Sequence, residues 1–197
     1  MGQDTLKKNF EEHLKILGDT GIDLIILEAM TSEVDTVKTL INCSKKVNLP
    51  TWLSVSCAFD EETNKVMLGY QESIGNTKAE IYEDFDKAIK QFSSLHDGPI
   101  LIAHSDIKII NDAIKIIKNN HKGFIGTYPN NGYFEKPHWK SIEGFTPENY
   151  LNEARSWVKN GSQIIGGCCG VGPDLIKSLS TLKPVSYTHL RAHETRI

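Results

Sequence analysis

The sequence predicts an α/β protein built on a parallel sheet, an expectation that rests on three observations. Five short apolar runs, at residues 22–27, 51–55, 100–103, 124–128 and 163–165, alternate with stretches of helical periodicity, as successive βα units do. Each run is nearly continuous in apolarity, which suits strands buried on both faces rather than strands with one wet side. The stretches between them carry start and stop signals of their own for helices.

The elements follow in order. A polar opening, Met1 to Lys8, leads directly into a helical pattern. The first strand, Ile22 to Leu27, is closed by Glu28. A helix from about Ser32 then places Val34, Val37, Leu40 and Ile41 on one face, with Cys43 off that face and incidental to it. The second strand, Thr51 to Val55, ends near Cys57, which is expected to line the mouth at the strand end. The third, Ile100 to Ala103, is closed by His104, and Ile107, Ile110, Ile114 and Ile117 then recur at helical spacing. After the fourth strand, Phe124 to Tyr128, come Pro129, Asn130 and an aromatic loop through Trp139 suited to covering a mouth. Thr146 caps the next helix, with Pro147 at its first position and Gly161 at its end. The fifth strand, Gln163 to Ile165, runs into Gly166-Gly167-Cys168-Cys169-Gly170, and the last helix starts at Pro173 and carries Leu175, Ile176, Leu179 and Leu182.

Five βα units exceed one mononucleotide-binding half and fall short of a closed barrel, which takes eight strands and about 250 residues. The sheet is therefore either open and doubly wound or the last five units of a (β/α)8 barrel whose first three lie upstream of Met1. Residues 185–197 read as translated sequencing adapter and are set aside as a non-native tail, which leaves 1–184 as one domain or one piece of a domain.

Composition narrows the function classes. The chain is 39% hydrophobic and 24% charged, and carries a formal charge of -3. It has no basic cluster to meet nucleic acid or an anionic membrane and no apolar run of spanning length. With no signal peptide in view, a cytoplasmic protein is expected, in which Cys43, Cys57, Cys168 and Cys169 stay reduced and favour metal binding or catalysis over disulfides.

The chemistry gathers where strands give way to helices, the end at which both architectures build active sites. Adjacent residues of a regular strand point to opposite faces, but the glycines flanking Cys168 and Cys169 let the backbone bend until both sulfurs face one ion. A catalytic zinc keeps three protein ligands and one open position, so a third ligand has to come from another strand end. His104 is the best placed and Cys57 the second; against both stands the reading of the cysteine pair as two small buried residues. By the same bland reading Glu28 is an exposed strand-end carboxylate or a helix cap, and Asn130 is turn chemistry.

The segment from Gly166 to Ile176 resembles the Gly-Gly-Cys-Cys signature and following helix of homocysteine S-methyltransferases, a zinc-dependent barrel family. Gly21 to Glu28 is similar to the family's fourth strand and Tyr128-Pro129-Asn130 to its seventh-strand motif, so the resemblance covers residues 8–183 or so in order. It implies strands four to eight of a barrel, Zn²⁺ held by Cys168, Cys169 and His104, and an amino acid substrate held by Glu28 and Asn130. The family usually presents a cysteine where this chain has His104 followed by Ser105, and histidine brings one negative charge fewer to the ion. The implied activity is methyl transfer to the thiol of homocysteine, giving methionine. The nucleophile is the metal-activated substrate thiolate, with no side-chain nucleophile. The donor is left open among S-methylmethionine, S-adenosylmethionine, betaine and a methylated corrinoid. The implied partners are thus a small thiol and a methyl donor. The rival expectations are a metal-binding α/β protein without methyl transfer and an inactive barrel fragment.

Overall fold

A computed structural model describes residues 2–182. The tail expected at 185–197, and the domain limit at 184, lie outside the described residues. Along the chain the elements are α1 (Gln3–Gly18), β1 (Ile25–Met30), α2 (Val34–Ser44), β2 (Thr51–Val55), β3 (Cys57–Asp60), β4 (Lys65–Tyr70), β5 (Glu80–Asp84), α3 (Phe85–Ser93), β6 (Ile100–Asp106), α4 (Ile110–Asn120), β7 (Ile125–Asn130), β8 (Tyr133–Glu135), β9 (His138–Lys140), α5 (Pro147–Asn160), β10 (Ile164–Ile165) and α6 (Pro173–Leu179). A single 3-10 turn, Ile107–Ile109, joins β6 to α4.

The five expected strands form one sheet in the order β1-β2-β6-β7-β10, and every neighbouring pair is parallel. The order rises along the chain without a reversal, whereas a doubly wound sheet turns back at a switch point. All five carboxyl ends consequently lie along one rim.

Burial along β1 shows how the two faces differ. Ile25 and Leu27 are 3% and 4% exposed while Ile26 between them is 44% exposed, so alternate side chains go into the helical layer and onto the opposite face. The helix-side residues, with Leu53, Val55, Ile100, Ile102 and Ile125, pack with Val37, Ile41, Phe92, Ile110, Ile114, Ile117 and Trp157 in one core. Each such side chain contributes about 1.5–3 kcal/mol on burial. On the opposite face the packing is close at the centre, where a Cβ on Gly126 would stand 2.6 Å from Leu101 Cδ2 and 3.1 Å from Ile164.

Three features depart from the sequence expectations. First, Cys43 is buried, with its Sγ 3.9 Å from the Lys7 carbonyl. α2 packs on α1 as well as on the sheet, so more than one stripe of it is covered. Second, the chain between β2 and α3 is a three-stranded antiparallel sheet, β3-β4-β5, where only Cys57 had drawn attention. Its first turn is closed by Asp60, whose carboxylate accepts from Glu62 N and Thr63 Oγ1, with Asn64 left-handed at φ 55°. α3 follows at once, capped by Asp84 accepting from Lys87 N, and buries Phe85, Ala88, Ile89 and Phe92. Third, the aromatic loop after β7 is a hairpin, β8 paired with β9. The cap at Thr146 is present as expected, with Gly161 closing α5 at φ 123°, and Asn149 extends it into a reciprocal capping box.

Candidate metal centre

The rim is shaped by two identical irregularities. In β1 the register passes from Leu27↔Leu53 to Met30↔Val55, and in β6 from Ala103↔Tyr128 to Asp106↔Asn130. Each strand thus carries one residue more than its neighbour at its carboxyl end, a bulge that re-aims side chains. Ala29 and His104, at these bulges, have φ of 46° and 49°, a left-handed conformation that is unfavourable for residues other than glycine and clusters at functional sites. Glu28 and His104 are the side chains the two bulges turn toward the rim.

The bulge in β6 is fixed from below. Ser105, fully buried, donates to Ala103 O at 2.6 Å and accepts from Cys57 N at 2.9 Å. Asp106 accepts from Ile74 N and from Lys108 N, both at 2.7 Å, so Asp106 rather than His104 caps the turn that follows.

His104 faces the cysteine pair. Its Nδ1 lies 3.5 Å from Cys168 Sγ and 3.6 Å from Cys169 Sγ, and the two sulfurs are 3.8 Å apart. A tetrahedral zinc with Zn–S near 2.3 Å and Zn–N near 2.0–2.1 Å requires edges of about 3.8 Å between sulfurs and about 3.6 Å from sulfur to nitrogen. The donor triangle therefore fits that ion. These three residues form the one such group among the described residues.

The cysteine turn is held by backbone contacts. Cys168 N donates to Pro129 O at 3.0 Å, Asn131 N to Cys169 O at 2.8 Å, and Cys169 N to Asn130 Oδ1 at 3.3 Å. Gly170 adopts φ 74°, and a Cβ there would stand 2.2 Å from both Asn131 O and Trp139 Nε1. A Cβ on Gly167 would stand 2.2 Å from Val171 Cγ1. The glycines thus serve close approach as well as bending. The Tyr150 hydroxyl donates to Gly166 O from beneath.

The charges within the trio are coupled. Burial pushes the Cys168 thiol up, but His104 beside it and the contacts from Cys169 outweigh burial and hold it below the ordinary thiol value. Cys169 is shifted upward, by burial and then by the negative charge on Cys168. His104 is raised, its hydrogen bond to Cys168 outweighing burial.

Of the other expected residues, Glu28 stands at the rim of β1, and the Tyr128 hydroxyl contacts its two carboxylate oxygens at 2.9 and 2.8 Å. Ser54, fully buried, bonds the same hydroxyl and lies 3.5 Å from Glu28 Oε1. Asn130 is buried with its Nδ2 unpartnered. Cys57 stands apart: it is fully buried, and burial, outweighing the opposing contact with Ser105, pushes its thiol up to about 12. Nor does it line the rim as expected, because β3 carries it into the core.

Ser54, Tyr70 and Glu72 belong to no motif in the sequence, and Tyr128 belongs to one only as the start of Tyr128-Pro129-Asn130. Ser54 did leave a signal, a polar residue inside an otherwise apolar strand. Tyr70, at the end of β4, stacks on the His104 ring with centroids 4.8 Å apart and planes tilted by 32°. Its hydroxyl donates to Glu72, whose other oxygen accepts from Phe134 N at 2.6 Å.

Fold and site together define a class: a singly wound α/β protein with a thiolate and imidazole donor set at the carboxyl rim of its parallel sheet. The sequence profile of homocysteine S-methyltransferases matches residues 1–182, and the chain belongs to this family. It is 25% identical over 181 residues to the selenocysteine methyltransferase of Astragalus bisulcatus, covering 89% of this chain and 49% of that protein. It is 26% identical over 183 residues to homocysteine S-methyltransferase 3 of Zea mays, covering 90% and 49%. The chain thus spans about half the length of these curated relatives. Among solved structures, the carboxyl transferase domain of Rhizobium etli pyruvate carboxylase shares the fold, with a TM-score of 0.53 at 10% identity over 83% of this chain and 24% of that chain. No helix among the described residues is long and apolar enough to cross a membrane.

Proposed function

We propose that the chain is the thiol-activating portion of a homocysteine S-methyltransferase, with its five parallel strands standing as strands four to eight of a (β/α)8 barrel and residues 1–184 forming that portion. The rising strand order and the family membership support the reading. The observation that carries it is the triangle of His104, Cys168 and Cys169, whose edges of 3.5, 3.6 and 3.8 Å suit one zinc ion with a vacant fourth position.

Zinc, when bound, supplies the positive charge that favours the thiolate form of an incoming thiol. The remaining work falls to the protein. Glu28 receives the substrate ammonium group, its carboxylate oriented by Tyr128 and, through it, by Ser54. Asn130 anchors the cysteine turn through its Oδ1 and offers its free Nδ2 to the substrate carboxylate. The substrate sulfur then takes the methyl group, giving methionine from homocysteine, while the donor keeps the electron pair of the broken bond. Orientation at the rim supplies the rate advantage of a near-attack geometry. The partners in this reading are a small thiol and a methyl donor, without nucleic acid or membrane, and a reducing compartment such as the cytoplasm suits the paired thiols.

Calorimetry of the zinc-loaded chain with L-homocysteine and with L-homoserine tests the reading. Homocysteine is expected to bind with release of a proton and homoserine not to bind. A chain that holds zinc yet takes up neither, or both alike, would overturn it.

A further inference from the structure

The segment between β2 and α3 braces the β6 bulge from below through Cys57 and Ile74, and it also reaches the imidazole of His104 itself, through Tyr70. Tyr70 lays its ring on that of His104 at a centroid distance of 4.8 Å, within the range over which aromatic pairs attract. The ring of Tyr70 is itself held. Its hydroxyl is bound to Glu72, and Glu72 is bound to the backbone N–H of Phe134 in the β8-β9 hairpin. Two elements that are separate in sequence, the antiparallel insert and the hairpin, are therefore joined beside one imidazole.

His104 needs such support. It sits on a left-handed backbone at φ 49°, on a bulge, and its side chain is longer than the cysteine that the family usually presents there. An imidazole can also turn about its χ2 and offer either nitrogen. In the structure it is Nδ1 that faces both sulfurs. The ring of Tyr70 on one side, fixed through Glu72, limits that rotation.

We infer that Tyr70 is a positioning residue for the metal centre: by stacking on His104 it selects the ring orientation in which Nδ1 joins Cys168 and Cys169. The inference rests on the metal-binding reading above and extends it to a residue that touches neither metal nor substrate. Groups behind metal-ligating histidines fix ring orientation and typically change metal affinity by about 10- to 100-fold when lost.

The test uses the full chain loaded with Co²⁺ in place of Zn²⁺, whose absorption bands report the ligand geometry, together with competition against a chromophoric chelator. Tyr70→Leu removes the ring, Tyr70→Phe keeps the ring and removes the hydroxyl, and circular dichroism checks that each is folded. Tyr70→Leu is expected to bind Co²⁺ and Zn²⁺ about tenfold or more weakly with altered Co²⁺ bands, and Tyr70→Phe to stay within about threefold of the wild type with unchanged bands. Tyr70→Leu with wild-type affinity and bands would overturn the role of Tyr70 while leaving the metal site standing. An equal loss in both variants would overturn stacking as its cause. A wild-type chain that binds neither ion would overturn the metal reading and this inference together.

Discussion

The Tyr128 hydroxyl lies 2.9 and 2.8 Å from the two carboxylate oxygens of Glu28, although the residues are 100 positions apart in the chain. β1 and β7 are not neighbours in the sheet, so the contact spans the open face across β2 and β6. Ser54 on β2 completes it from below. Burial, and then the bond to Glu28 and its charge, raise the Tyr128 hydroxyl above its ordinary value against the opposing bond with Ser54. It therefore remains a neutral donor to Glu28.

Tyr128→Phe is accordingly expected to weaken homocysteine binding to the zinc-loaded chain by about tenfold, the worth of one hydrogen bond to a charged group. Glu28→Gln is expected to weaken it further, because the charge proposed to meet the substrate ammonium is gone. Calorimetry checks both. Undiminished binding in Glu28→Gln would remove Glu28 from the substrate site.

The cysteine turn yields a stability prediction. Gly170→Ala meets both a positive φ and two atoms at 2.2 Å, whereas a Cβ on Gly172 meets nothing within 4 Å. Urea denaturation should show Gly170→Ala destabilised by more than about 1 kcal/mol. Gly172→Ala serves as the near-neutral control.

Thiol reactivity should separate the cysteines. Cys168 is lowered and half-buried, while Cys57 is fully buried with its thiol pushed up to about 12. In the metal-free folded chain, iodoacetamide followed by peptide mass analysis should mark Cys168 first and leave Cys57 unmodified until denaturant is added.

Acid should destabilise the opposite rim. His96 and His121 stack there with centroids 6.5 Å apart, and their Nε2 atoms donate to the carbonyls of Pro99 at 3.2 Å and Gly98 at 2.9 Å. Burial is the largest cause in both and depresses each below the ordinary value of 6.5. The unfolded chain therefore binds more protons than the folded one between the depressed and the ordinary values. Their contribution is fully present above the ordinary value and is lost as pH falls through the depressed ones. The urea midpoint should drop between about pH 8 and about pH 5. The drop should be smaller in His121→Gln, whose amide can still donate to Gly98. An equal pH dependence in the variant would contradict the assignment.

The parallel sheet was legible because its strands are continuous apolar runs, and β2 and the first residue of β6 fall where the pattern puts them. β1 was misplaced, expected at Ile22 and found from Ile25 to Met30. The run from Ile22 is as apolar as the strand itself, and the bulge that extends the strand past Glu28 depends on pairing with β2 rather than on local pattern. The β3-β4-β5 insert was illegible for a related reason. β5, Glu80 to Asp84, is largely exposed, and its two apolar residues, Ile81 and Tyr82, stand side by side between acids without the alternation that marks a half-buried strand. At the site, the cysteine pair announced itself through its glycines and His104 through its place at a strand end. Tyr70 and Tyr128 touch His104 and Glu28, far away in sequence, and only the fold brings those partners within reach.

The proposed function depends on His104, Cys168 and Cys169 together holding one zinc ion. Metal analysis of the purified chain beside Cys168→Ser and His104→Ala tests it most directly. About one equivalent of zinc is expected in the wild type, none retained in Cys168→Ser, and a marked loss in His104→Ala. Zinc retained in full by His104→Ala would contradict the three-ligand centre, and a wild type that takes up no zinc would contradict the centre altogether.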